Sequence, residues 1–106
     1  MEKKDLLKDT IKHIDIKSYD STQLIDAMRD MSFTSRDTAR ATDILMMMVG
    51  EKECTNILTI AGSTSAAGCM QVYVDMVRNK MVDVVVSTGA SIIDMDLFEA
   101  LGFKHY

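Results

Sequence analysis

The first half of the chain carries apolar residues at the three-to-four-residue spacing of amphipathic helices. This spacing predicts three helices, over residues 5–14, 23–31 and 36–49. Ser21 or Thr22 is suited to cap the second of them, because a side-chain hydroxyl can accept a free N–H of the first turn. Gly50 is suited to end the third.

The second half of the chain changes to short apolar runs rich in β-branched residues. Residues 56–60 and 82–86 predict strands, and the second is apolar almost throughout, as in a central parallel strand buried on both faces. Residues 70–80 predict a helix between them, and 95–101 a short helix that ends at Gly102. A strand, a helix and a strand in this order form a βαβ unit, so the sequence predicts an α/β fold with a parallel sheet.

Small residues follow both predicted strands. We call residues 61–68 (AGSTSAAG) the first loop and residues 87–91 (STGAS) the second loop. Ligands bind at the carboxyl ends of the strands in open parallel sheets. Gly62 and Gly68 let the backbone turn tightly and approach a ligand, and the N–H groups of the following helix favour phosphate. The pattern is therefore that of a nucleotide or dinucleotide site.

Two interpretations of the first loop stay open from the pattern alone. The segment GSTSAAG lacks the middle glycine of the GxGxxG fingerprint, and no lysine follows Gly68 as it would in a Walker loop. The loop is either a cradle for phosphate or a tight turn whose small residues let a helix pack on a strand.

Acidic residues crowd the segment after the second loop. Asp94 and Asp96 are candidates for binding a cation, a metal or a ribose hydroxyl. The alternative is that, together with Glu99, they only complement the positive end of a helix dipole.

The remaining chemically capable side chains have no partner at a suitable spacing. His13 and His105 are isolated, which favours surface or partly buried histidines over metal ligands. Cys69 lies at a predicted helix start, where a thiol either becomes reactive or simply packs the turn. The residues Met46–Met48 point in three directions on a helix, which favours core packing over a thioether metal site. We predict no metal site.

Composition and charge exclude several classes of function. The chain has 106 residues, of which 47% are apolar, and 12 basic against 16 acidic residues give a net charge of −4. No basic stripe is present, so we expect no nucleic-acid partner. No apolar run approaches the roughly 20 residues that span a bilayer, and the start MEKKDLLKD lacks the apolar core of a secretory signal, so we expect no membrane association. Cys54 and Cys69 form no CxxC pair, which indicates a reducing, intracellular setting. We expect the protein in the cytoplasm.

Three segments within Asn56–Tyr106 match a known family pattern: GSTSAAG, NKMVDVVVSTGASI and FEALGFKHY, of which MVDVVVSTGA is the most specific part. On these segments, the chain from about Ile16 onward resembles the deoxyhypusine synthase family. The segment YDSTQLIDAMRDMSFTSRDTARATDILMMM is similar to the helical lead-in of the family.

This resemblance implies a Rossmann-like, NAD-dependent enzyme that moves the 4-aminobutyl group of spermidine to a specific lysine of translation initiation factor 5A. It places the NAD contacts in the two loops, at Gly62, Ser63, Thr64, Ser65, Ala66, Thr88, Gly89 and Ala90. Asp94 falls on an acidic position that touches both the cofactor and the polyamine. A carboxylate suits that position, since a desolvated ammonium needs a paired anion.

The chain departs from the family pattern in and after its loops. Ala61, Gly62 and Ser63 stand where members often have TSN, and Ile93 before Asp94 leaves one acid where many have paired glutamates. The STGA pattern is similar to a branch that includes homospermidine-synthase-like members. The acceptor is therefore either a protein lysine or a small diamine such as putrescine.

Members of the family are much longer than this chain, and their catalytic lysine falls in a C-terminal part that has no counterpart here. We do not assign that role to Lys104. We expect residues 1–50 to be a helical lead-in and residues 51–106 to be the first βαβ part of an incomplete NAD-binding domain. We expect a second polypeptide, produced by cleavage after Tyr106, to complete the sheet. The alternatives are a split gene and a further part of the same chain. The resemblance also implies a homotetramer, and a non-catalytic regulatory subunit of such a complex is the remaining alternative.

Overall fold

The structure, a computed structural model, describes residues 2–106 as two compact units. The helical unit is Ile16–Asn56, and the sheet unit is Ile57–Tyr106 together with the segment that ends at Asp15. The elements in chain order are α1 (Lys3–Leu6), a 3₁₀ turn (Ile16–Ser18), α2 (Thr22–Arg29), α3 (Phe33–Gly50), β1 (Ile57–Ile60), a wide turn (Ser65–Cys69), α4 (Met70–Arg78), β2 (Val84–Ser87), α5 (Gly89–Ser91), a π-helical stretch (Ile92–Leu97) and α6 (Phe98–Ala100).

The helical unit contains α2 and α3, which pack on each other, and Ala39 of α3 is fully buried. Both helices confirm the apolar periodicity of the sequence, although α3 begins three residues earlier than predicted. An ion pair links the two helices, with 2.6 Å between Arg29 Nη2 and Asp43 Oδ1. The Arg29 guanidinium holds the pKa of Asp43 below its usual range by hydrogen bonding to the carboxylate.

The cap of α2 differs from the sequence prediction. Ser21 occupies the N-cap position but makes no side-chain hydrogen bond to the helix. Asp20 caps the helix instead, since its Oδ1 accepts the backbone N–H of Thr22 at 2.9 Å. Donation from Thr22, by its hydroxyl and then its N–H, keeps the pKa of Asp20 lowered.

The sheet unit contains the predicted βαβ arrangement. Strands β1 and β2 are parallel, from the pair Ile57 and Val84 to the pair Ile60 and Ser87, and α4 connects them. Ile60 and Val85 line a groove of about 430 Å³ that is also lined by α4 and by the Ile92–Ala100 region. One face of the sheet is therefore covered by helices.

The other face of the sheet is open among residues 2–106. Ile57, Val84 and Val86 project to this face and are 56%, 41% and 53% exposed. The prediction of a central strand buried on both faces is thus not met within the described chain, because β2 is one of only two strands there. A strand of consecutive valines is nonetheless typical of a sheet covered on both sides.

The predicted helix over residues 5–14 is wrong. Helix α1 ends at Leu6, and the backbone beyond it bonds to distant parts of the sheet unit. The N–H of Ile11 donates to the carbonyl of His105 at 2.8 Å, and the N–H of Ile14 donates to the carbonyl of Gly68 at 2.9 Å. These bonds replace the i→i−4 bonds of a helix, so tertiary contacts override the apolar spacing.

The last predicted helix begins earlier than expected. Helical structure starts at Gly89, so three of the five residues that were predicted as the second loop form α5. The predicted stop at Gly102 is confirmed, because Gly102 has φ +94° and Phe103 N–H donates back to the Phe98 carbonyl at 3.0 Å. The rings of Phe98 and Phe103 pack edge to face at 5.8 Å and hold the chain at this reversal.

The C-terminus of helix α4 has the same type of cap as the C-terminus of α6, but the residue in the left-handed conformation is a lysine. Lys80 has φ +56°, its N–H donates to the Val77 carbonyl, and the N–H of Met81 donates to the Met76 carbonyl. This bonding pattern is a Schellman motif, in which glycine is the preferred residue at the position of Lys80.

Replacing Lys80 by glycine is therefore expected to stabilise the protein by about 1 kcal/mol, since it removes the steric penalty of a side chain at positive φ. Urea unfolding of the assembled protein measures the change in its free energy of unfolding. Lys80→Ala is the matched control, because it removes the charge but keeps the Cβ. An equal gain from both variants would assign the effect to the lysine charge instead.

Candidate functional site

The two loops meet at the carboxyl ends of β1 and β2. The strands are parallel and in register, so the chain leaves both at the same edge of the sheet. The N–H of Thr88 donates to the carbonyl of Ile60 at 3.2 Å. The fully buried Ser91 donates its hydroxyl to the carbonyl of Gly62 at 2.5 Å. The structure thus joins the two segments that the sequence singled out, and they form one continuous surface.

The first loop presents both open backbone and hydroxyl groups. Gly62 has φ +77° and borders open space, and Ser63 beside it is exposed. Thr64 and Ala66 are partly buried, and the Thr64 hydroxyl oxygen accepts a hydrogen bond from Tyr73 on α4 at 2.6 Å. Ser65 is fully buried, and its hydroxyl has no hydrogen-bond partner among residues 2–106.

Gly68 fixes the end of the first loop. It has φ +93°, a conformation that strongly favours glycine, and it lies in the wide turn that leads into α4. A Cβ at this position would lie 2.9 Å from the backbone oxygen of Lys12. Both its conformation and its close contact with the N-terminal segment therefore require glycine.

The second loop leads directly into a helix. Thr88 is exposed and has the extended backbone of an N-cap residue, with φ −74° and ψ 159°. Gly89 borders open space, and Ala90 is partly buried. Asp94 follows about one turn later, in the π-helical stretch, and is exposed to solvent. Its carboxylate is therefore accessible to a charged ligand.

The three acidic residues after the second loop have different surroundings. In contrast to the exposed Asp94, Asp96 is partly buried beside the apolar groove, and its Oδ1 has no partner within the described chain. Glu99 is close to His13, with 2.7 Å between Oε1 and Nε2, and the two side chains are only 13% and 20% exposed. Glu99 therefore ties the N-terminal segment to the last helix, which leaves Asp94 as the accessible acid.

Other classes of site find little support among residues 2–106. No group of three or more His, Cys, Asp or Glu side chains in this part of the chain could hold a metal ion. Cys54 and Cys69 are free thiols, and the Cys54 thiol donates to the side-chain oxygen of Asn56 at 3.3 Å. No helix of the described residues has both the length and the apolar character needed to cross a membrane.

Two residues of this site were missed by the sequence analysis. Tyr73 falls in the helix predicted over residues 70–80 and was given no role, and Ser91 was counted in the second loop without a role. Each contacts the first loop through a side-chain hydrogen bond, across nine residues for Tyr73 and 29 residues for Ser91. Neither bond leaves a periodic or motif-like signal in the sequence.

Comparisons with known proteins point to one family. The sequence model described as "Deoxyhypusine synthase" matches residues 23–106. A deoxyhypusine synthase-like protein of Caulobacter vibrioides is 62% identical over 99% of this chain and 29% of its own length. One of Coxiella burnetii is 59% identical over 98% of this chain and 30% of its own length.

A more distant relative is the probable deoxyhypusine synthase 2 of Methanosarcina acetivorans, which is 36% identical over 88% of this chain and 27% of its own length. The chain therefore spans only about 30% of the length of these curated relatives from Caulobacter vibrioides and Coxiella burnetii. No solved structure matches the chain.

Proposed function

This chain belongs to the deoxyhypusine synthase family, and from that premise we propose that it forms the cofactor-binding part of an NAD-dependent aminobutyl transferase. The proposed reaction moves the 4-aminobutyl group of spermidine to a specific lysine of the translation initiation factor 5A precursor. The NAD that binds between the loops would accept a hydride from the polyamine. The catalytic lysine that holds the butyl group is expected outside this chain.

The observation that carries the proposal is the hydrogen bond from Ser91 to Gly62, because it brings the two loops together at one edge of the sheet. Ligand sites in parallel α/β sheets lie at this edge. Apart from Asp94, all the residues that we propose to contact NAD lie in these two loops. A dinucleotide is long enough to need contacts from both loops at once.

The side chains and backbone of the loops fit such a ligand. A Cβ added at Gly62 or Gly89 would meet no atom within 4 Å, so the backbone at both positions is open to close approach. The hydroxyls of Ser63 and Thr88 are exposed donors. The buried Ser65 hydroxyl has unused hydrogen-bonding capacity, which a ligand or a bridging water would satisfy.

The polyamine is proposed to bind beside the cofactor at Asp94. This carboxylate is exposed one helical turn beyond the second loop. Spermidine is a polycation, and its ammonium groups need an anionic partner once the site closes and excludes water. The net charge of −4 also favours the approach of a cation.

The proposal includes a polypeptide that completes the sheet and supplies the catalytic lysine. It is supported by the exposed row of Ile57, Val84 and Val86, since an open apolar sheet face is rarely left uncovered in a soluble protein. The fraction of the relatives' length that this chain spans also supports it. We propose a Rossmann-like domain formed in this way, in a homotetramer.

Two alternatives differ in the acceptor or in catalysis itself. Ile93 and Asp94 provide one acid where many members of the family have two glutamates. This difference favours a second candidate function, in which the aminobutyl group is transferred to putrescine and homospermidine is formed. The third candidate is a regulatory subunit that binds NAD without turnover.

One experiment separates the three functions. The chain is produced together with the polypeptide that matches the remaining length of its relatives, and the purified assembly is incubated with NAD and labelled spermidine. The initiation factor precursor or putrescine is then offered as the acceptor. We expect label on the protein factor. Labelled homospermidine would favour the second candidate, and NAD binding without turnover would favour the third. Absence of NAD binding by the intact assembly would contradict the proposal.

A further inference from the structure

Tyr73 contacts the proposed cofactor site from outside the two loops. It lies in the first turn of α4, and its phenolic O–H donates to Thr64 Oγ1 at 2.6 Å in a partly buried position. The ring lines the apolar groove together with Val74 and Val85, which limits the orientations that the side chain can adopt. Tyr73 therefore presents a fixed hydrogen-bond donor to the middle of the first loop.

This contact determines which hydrogen-bonding capacity of the Thr64 hydroxyl stays unused. A threonine hydroxyl has one O–H donor and two acceptor lone pairs. Because the hydrogen from Tyr73 occupies an acceptor lone pair, the Thr64 O–H points elsewhere and stays available as a donor. The Thr64 hydroxyl donates to no other group among residues 2–106. Its oxygen is also polarised by the bond it accepts, which strengthens its own donation.

We propose that Tyr73 is a positioning residue of the cofactor site, which orients the Thr64 hydroxyl as a donor toward an oxygen acceptor of the bound dinucleotide. The inference rests on the proposed function, since it requires NAD to lie at the first loop. It adds a residue of α4 to a site otherwise formed by loop residues and Asp94. It also distinguishes Thr64, which is held from outside the loop, from its neighbour Ser63, which is exposed.

The test measures the NAD dissociation constant of the assembled protein by calorimetry. Tyr73→Phe keeps the ring in the groove and removes only the hydroxyl, so it is expected to weaken NAD binding about fivefold, as for the loss of one hydrogen bond. Thr64→Val is expected to weaken binding at least as much. The double variant should bind no more weakly than Thr64→Val alone, because Tyr73 acts only through Thr64. Tyr19→Phe is the control, since Tyr19 is 72% exposed in the helical unit, and it should leave binding unchanged.

A purely structural role is separated by a second measurement. Urea unfolding should give nearly the same midpoint for Tyr73→Phe and the unmodified protein, whereas amide hydrogen exchange of the first loop should become faster in the variant. Unchanged NAD affinity in Tyr73→Phe, or additive losses in the double variant, would overturn the inference while NAD binding itself is retained. Failure of the unmodified assembly to bind NAD would instead overturn the proposed function, and this inference with it.

Discussion

Replacing Gly68 by alanine is expected to destabilise the protein by about 3 kcal/mol, the largest loss expected for alanine at any of the five glycines. A left-handed conformation costs an alanine roughly 1–2 kcal/mol. The new Cβ would also lie 2.9 Å from the Lys12 backbone oxygen, so the N-terminal segment would have to move away. That movement strains the bond from Ile14 N–H to the Gly68 carbonyl. Overpacking of this kind costs roughly a further 1–3 kcal/mol.

Gly62→Ala is the matched control for this prediction. Gly62 also has a positive φ, of +77°, but a Cβ there meets no atom within 4 Å. Its loss of stability should therefore be only about 1 kcal/mol, from the backbone conformation alone. Urea unfolding of both variants gives the comparison. Equal losses would mean that the contact between Gly68 and the N-terminal segment contributes nothing.

Replacing Asp94 by asparagine is expected to raise the KM for spermidine by roughly 10- to 100-fold in the assembled protein, as for the loss of a charge-assisted hydrogen bond. Asparagine keeps the size of the side chain and removes its charge, so the fold should not change at this exposed position. The expected effect is larger at low ionic strength, because salt screens an exposed carboxylate. Steady-state kinetics at two salt concentrations measure both effects.

Asp37→Asn is the control for this second prediction. Asp37 is an exposed carboxylate of α3 in the helical unit, so its replacement changes the net charge equally without touching the loops. The KM of the Asp37→Asn variant for spermidine should equal that of the unmodified protein. If both variants raised KM alike, the effect would come from the overall charge of the protein. If neither did, Asp94 would not be the polyamine contact.

Much of the fold follows from local patterns in the sequence. Helix α3 and the strands β1 and β2 are predicted within three residues of their observed bounds, because their spacing and β-branched content match how they pack. The stretch with Ile11 and Ile14 fails although its spacing is equally regular. Its amides bond to His105 and Gly68, which are distant in sequence, and no local pattern reports such partners.

The candidate site shows the same division between local and distant information. The small residues after the two predicted parallel strands were enough to place both loops at the same edge of the sheet, since parallel strands end on the same side. The residues that hold the loops, Tyr73 and Ser91, could not be found in this way. The early start of α5 was missed because Gly89, Ala90 and Ser91 are typical of loops and poor indicators of a helix.

The bonds of the N-terminal segment also constrain the order in which this chain folds during its synthesis. The helical unit is continuous in sequence, so its contacts can form soon after Asn56 leaves the ribosome. His13 is made early, yet its partner Glu99 comes 86 residues later. The bond from Ile14 to Gly68 can form earlier, but the pair of His13 with Glu99 and the bond from Ile11 to His105 must wait until Glu99 and His105 have been made. Contacts of such long range are slow to form, so a ribosome that pauses before Glu99 holds a nascent chain whose N-terminal segment lacks two of these three ties.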